Sequence, residues 1–164
     1  MVDIQSLSFT LAALSVVAGV AYNSYSLRVQ NKSRQAQIYI SLWQRLNSLE
    51  MMHSMEYIRK VKASTYEEWR KLNETDQKYS DSWDYFFTTF EAIGAFVNED
   101  LLGIQIVLRD CGGIIPRYWK RYEAVIREHR KQMNNPRYYI EFEYLYEKTV
   151  EFARKHPEFM IPLN

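Results

Sequence analysis

The stretch from Ile4 to Leu27 constrains this chain more than any other. It contains no Asp, Glu, Lys, Arg or His, with Asp3 before it and Arg28, Lys32 and Arg34 after it. As an α-helix rising about 1.5 Å per residue it reaches roughly 36 Å, more than the ~30 Å hydrocarbon core of a bilayer. A lone segment in lipid has to be helical, because only bonds within the segment satisfy its backbone there. Basic flanks stay on the cytoplasmic side. The sequence therefore predicts a single-pass protein of the cell membrane, with its N-terminus outside and its C-terminal domain cytoplasmic. Tyr22 and Tyr25 fall toward the basic end, at the depth of the headgroups, where amphipathic rings are favoured.

The same residues fit other readings. Leu7, Phe9, Leu11, Leu14, Val16, Val17 and Val20 each favour insertion by only about 0.3–0.6 kcal/mol. Ser6, Ser8, Thr10, Ser15, Gly19, Asn23, Ser24 and Ser26 oppose it. A soluble helical-bundle protein with this helix in its core has a similar composition. A cleaved signal peptide fits less well, since no basic residue precedes the apolar run, although Ala18-Gly19-Val20-Ala21 would pass as a cleavage site.

One face of the helix is small and polar. Ser8, Ala12, Ser15, Gly19, Asn23 and Ser26 recur at steps of four and three. Small residues let two helices approach closely in lipid, and hydroxyls and amides bond across the contact. Ser8, Ala12, Ser15, Gly19 and Asn23 are therefore expected to face another helix, from a second copy or from a partner subunit of a membrane complex. A monomeric anchor of loose composition is the alternative.

The 164 residues carry a formal net charge of +1, which gives no bulk basic character for binding nucleic acid. The sequence divides into an anchor with its basic juxtamembrane segment, 1–33, and a helical domain, 34–164, large enough for one modest core. Charge is uneven: Arg28, Lys32, Arg34, Arg45, Arg59, Lys60 and Lys62 face only Glu50 and Glu56 over that interval. Such a lead-in suits the anionic inner leaflet of the lipid bilayer. Cys111 is the only cysteine, so no intrachain disulfide and no cysteine-based metal site can form. The thirteen tyrosines suggest packing surfaces with polar tips.

Beyond Ser33 the periodicity is helical. Ile38, Leu42, Leu46, Leu49 and His53 share a face, and no Gly or Pro occurs between Val20 and Lys62. The first helix is thus expected to run on without a break and fade near Ala63. Ser64 to Glu68 holds two overlapping capping boxes ahead of a short helix through Trp69 and Leu72. Asn73 to Asp76 reads as a turn and a new cap. Trp83, Phe86, Phe87, Phe90, Ile93 and Val97 trace the best-defined apolar face, with Gly94 beside it allowing a close helix crossing. Asn98-Glu99-Asp100 is expected to cap a helix through Leu101 and Leu108, and Cys111-Gly112-Gly113 to end it through a left-handed glycine. Pro116 suits the first turn of the next helix, whose buried side is Ile115, Trp119, Tyr122, Val125, Ile126 and His129. After Asn134-Asn135-Pro136 a last helix presents Tyr138, Phe142, Leu145, Thr149 and Phe152, and the tail to Asn164 is short and apolar. The fold class is all-α: one N-terminal transmembrane helix continuing into a small cytoplasmic helical bundle of about five helices.

Motifs for chemistry are few. Glu50-x-x-His53 matches one half of a di-iron carboxylate signature, but neither His129 nor His156 has a Glu three residues before it. His53 and His129 lie on apolar faces and read as hydrogen-bonded core residues. Cys111 reads as a small buried hydrophobe. Arg117, Lys120, Arg121, Arg127 and Arg130 form a basic stripe that could meet an acidic partner, lipid headgroups or RNA, while Glu141, Glu143 and Glu147 offer ordinary pairing. There is no Gly-rich phosphate loop and no His-Glu-x-x-His motif. No catalytic residue, cofactor or metal ligand is expected.

The runs Phe90-Glu91-Ala92-Ile93-Gly94, Leu101-Leu102, Ile114-Ile115-Pro116-Arg117-Tyr118-Trp119 and Phe142-Glu143-Tyr144-Leu145 resemble a prokaryotic family, the domain-of-unknown-function family 4760. The resemblance implies a short helical cytoplasmic domain behind one N-terminal membrane helix. It implies no activity, and no catalytic residue carries over. The expected function is that of a non-enzymatic, membrane-anchored module acting as accessory subunit, scaffold or sensor through protein–protein contacts. An oligomerising membrane effector with a regulatory soluble domain, and an enzyme with a site built across helices, are the alternatives.

Overall fold

The computed structural model describes residues 3–157, and among these every regular element is an α-helix. The elements are α1 (Ile4–Leu46), α2 (Leu49–Lys60), α3 (Tyr66–Thr75), α4 (Gln77–Asn98), α5 (Ile104–Cys111), α6 (Ile114–Gln132) and α7 (Ile140–Lys155). Among the described residues six helices follow α1, against the five or so expected. The chain forms two compact units, one ending at Ile38 and one beginning at Tyr39. The apolar tail beyond Pro157 lies outside the described residues.

Among the described residues the first unit holds one element, the part of α1 from Ile4 to Ile38. In the second unit, α4 is central and packs on α2, α3 and α7, while α6 packs on α3 and α7. The expected face of α4 is the core: Trp83, Phe86, Phe87, Phe90 and Ile93 are essentially inaccessible. Trp83 stacks on Phe87 at 4.0 Å and meets Tyr122 edge-on at 5.0 Å. Such ring pairs add about 0.5–1.5 kcal/mol each beyond the area they bury. Tyrosine tips tie α6 to α2, with Tyr118 Oη donating to the Met55 carbonyl at 3.3 Å and Tyr122 Oη to that of Ile58 at 3.0 Å.

Several boundaries differ from the sequence expectation. The first helix stops at Leu46 although no Gly or Pro is near. Ser48 ends it: its hydroxyl donates to the Arg45 carbonyl and accepts from Met51 N, capping α2. The break resets the register. Leu49 and His53 are exposed, and Met51, Ser54 and Ile58 form the buried side of α2. Of the two overlapping boxes before α3, the pair Thr65 and Glu68 closes both of its bonds. Asp76 caps α4 as expected.

Asn98-Glu99-Asp100 ends α4 and does not open α5. Asp100 takes φ 54°, and Leu101 N and Leu102 N both donate to the Phe96 carbonyl. The next helix starts only at Ile104, after Gly103. No glycine among the described residues has positive φ, so Gly112 does not close α5 in the expected way. The left-handed positions belong to Asp100, Asn134 and Tyr139.

Candidate functional site

The expected helix–helix and juxtamembrane residues all lie on α1. Ser8, Ala12, Ser15, Gly19 and Asn23 are exposed, as are Arg28, Lys32 and Arg34. At 100° per residue the small stripe takes up less than half of the helix circumference. Phe9, Leu11, Leu14, Val16, Val17 and Val20 cover the rest, and all six are exposed, Phe9 at 78% and Val17 at 65%. On the stripe, Ser15 Oγ donates to the Leu11 carbonyl at 2.8 Å. A Cβ placed on Gly19 would meet nothing within 4 Å.

The transmembrane helix expected from the sequence has no counterpart in the hydropathy of the described residues, none of whose helices is both long and apolar enough to cross a membrane. Ser15, Gly19, Asn23 and Ser24 dilute the apolar run. The side chains of Ile4, Gln5, Ser6, Leu7 and Thr10, at its start, lie outside the described residues.

A second concentration of interest is where three of the four family-like runs, those of α4, α6 and α7, meet. Helix α7 opens at Tyr139, which has φ 53° and no side-chain cap. Glu91, from α4, supplies the cap by accepting from Phe142 N at 2.8 Å. Burial pushes the Glu91 carboxyl above its ordinary range, and the amides of Phe142 and Glu141 oppose that. At Gly94 the helices nearly touch, since an added Cβ would lie 2.0 Å from the Glu141 carbonyl oxygen. Phe90 and Trp119 pack on Phe142 at 5.5 and 5.4 Å. Nothing in the periodicity marks Glu91 as a cap for a helix some fifty residues on.

The basic stripe on α6 divides. Arg127 and Arg130 both pair with Glu143, each at 2.5 Å. Arg130 also donates to the carbonyls of Tyr138 and Tyr139, fixing the turn before α7. The expected pairing with the last helix therefore holds for these two. Arg117 and Lys120 are exposed, and Arg121 lies over the Tyr122 ring.

The remaining candidates are placed as follows. Glu50 and His53 are exposed on α2. Among the described residues no group of three or more His, Cys, Asp and Glu is arranged to hold a metal ion. His129 is held by ring packing and not by the expected hydrogen bond: it lies 4.2 Å from Tyr138 and 5.0 Å from Trp69, and its buried Nδ1 has no partner. Burial lowers its pKa. Cys111 is buried, which pushes its thiol up to about 12. Beside it a cavity of about 20 Å³, lined by Leu42, Leu46, Ile93, Leu102 and Val107, has room for about one water molecule.

A family model described as a domain of unknown function (DUF4760) matches residues 9–149. No curated protein and no solved structure matches the chain.

Proposed function

The chain belongs to the DUF4760 family, and from that premise we propose that it is a non-enzymatic helical module, held at a membrane by the N-terminal part of α1 and acting through protein contacts. One observation carries the reading. Between Phe9 and Val29 the large apolar side chains are exposed on a helix that has no charge from Ile4 to Leu27. A helix with apolar side chains over most of its circumference needs an apolar surrounding, and lipid supplies one along the whole length. Arg28, Lys32 and Arg34 then mark the cytoplasmic boundary. Ser8, Ala12, Ser15, Gly19 and Asn23 face a second helix, from another copy or a partner subunit. The non-enzymatic part of the reading draws on the second unit, where Glu91, Glu143, Arg127, Arg130, Tyr118 and Tyr122 are engaged in joining helices.

Alkaline carbonate extraction of cell membranes tests this. The wild-type chain is expected in the pellet. Leu14→Lys with Val17→Lys adds about 2.5–3.5 kcal/mol per charge near the helix centre and moves it to the supernatant. Wild-type protein released by carbonate would overturn the reading and leave a protein partner as the cover for α1.

A further inference from the structure

Resting on that membrane reading, we propose that Arg28 and Lys32, with Tyr25 one turn before them, form a binding site for the headgroup of an anionic phospholipid. Charge sets this segment apart. No Asp or Glu occurs between Asp3 and Glu50. On later helices several cations pair with a carboxylate one turn away, as in Lys60–Glu56 at 2.8 Å, Arg127–Glu123 at 2.9 Å and Lys155–Glu151 at 2.8 Å. No ion pair found among the described residues involves Arg28, Lys32 or Arg34, and all three are exposed.

Helical spacing gives the site its shape. Residues three and four apart are neighbours on a helix, so Tyr25, Arg28 and Lys32 stand in one row over about 10 Å of axis. Arg34 falls on another side. The Arg28 guanidinium presents a planar fork that matches two phosphate oxygens, and the Lys32 ammonium adds a point charge one turn on. Tyr25 is 68% exposed and sits on the uncharged side of the pair. Its ring suits the glycerol and upper acyl region beneath a headgroup. Free phosphate would use the two cations and leave the ring and the apolar helix before it unused. A phospholipid engages all of them.

The full-length chain, reconstituted in phosphatidylcholine with about one tenth phosphatidylglycerol and re-extracted in mild detergent, is assayed for retained lipid. Phosphatidylglycerol is expected above its share of the mixture. Arg28→Gln or Lys32→Gln lowers that enrichment about fivefold each, and Tyr25→Ala weakens it, whereas Arg34→Gln has a smaller effect. Equal effects of Arg34→Gln and Arg28→Gln would show a diffuse charge effect and overturn the site. So would full displacement of the lipid by inorganic phosphate at matched concentration. Carbonate extraction reads the underlying premise separately: retention with no phosphatidylglycerol enrichment sinks the lipid site alone, and release sinks both.

Discussion

Gly94→Ala offers the sharpest test of the packing. The new Cβ would lie 2.0 Å from the Glu141 carbonyl oxygen and 2.5 Å from its carbon. Real Cβ contacts essentially never fall below 3.0 Å, so α4 and α7 must separate by about 1 Å. The obstacle is backbone, so no side-chain rotation relieves it. Forcing such a contact costs about 1–3 kcal/mol. The displacement also stretches the 2.8 Å bond from Phe142 N to Glu91, a cap of about 0.5–2 kcal/mol when lost outright. Against this, Ala in a helix interior gains about 1 kcal/mol over Gly. The net is a loss of about 1–3 kcal/mol, or roughly 2–4 °C in Tm per kcal/mol at this chain length. Thermal unfolding of the full chain, followed by circular dichroism, measures it. Gly113→Ala is the control, because a Cβ there meets nothing within 4 Å. A Gly94→Ala chain as stable as the Gly113→Ala chain would refute the close-crossing argument.

Two further outcomes follow from the second unit. Glu143→Ala leaves Arg130, whose side chain is 13% exposed, without its carboxylate. Arg130 keeps the carbonyls of Tyr138 and Tyr139 and Arg127 is half exposed, so the loss should be about 2–3 kcal/mol, below the ~3–5 of a fully buried pair; denaturant midpoints check it. Burial lowers the His129 pKa below its ordinary 6.5, so the folded chain binds fewer protons than the unfolded one just below that pH. The His129 contribution is therefore complete above about pH 6.5 and is lost as pH falls through that value toward the folded pKa. His129→Phe should flatten the difference in Tm between pH 7.5 and pH 5.5, and an unchanged slope would remove His129 as its source.

How far the fold was legible depended on whether its cause was local. The face of α4, the Thr65–Glu68 cap and the Asp76 cap are set by residues within a turn or two, and they appear as expected. The close crossing at Gly94 was legible too, because only a missing side chain allows it. The break at Asn47-Ser48 was missed because a serine cap within a Gly- and Pro-free run looks like any other helical serine. The misplaced start of α5 has a similar origin: Asn98-Glu99-Asp100 suits a helix beginning and, with Asp100 left-handed, a helix ending equally well. Glu91 could not be found from periodicity at all. Its partner is Phe142 N, and only tertiary packing brings them together.

Three of the four family-like runs gain a physical meaning from this. Glu91 and Gly94 lie in the first run, Trp119 in the third and Phe142 in the fourth, and they converge where α7 begins. These three runs therefore lie at the joining of α4, α6 and α7. That separates two kinds of substitution. Changes at Glu91, Gly94 or Glu143 act on helix joining and should move Tm. Changes at Leu14, Val17, Arg28 or Lys32 touch exposed positions on α1 and leave that junction intact. They should move partitioning and lipid retention with Tm nearly constant. A residue from the first group that altered lipid retention without lowering Tm would mean that recognition extends into the bundle, and the division of labour argued from these contacts would fail.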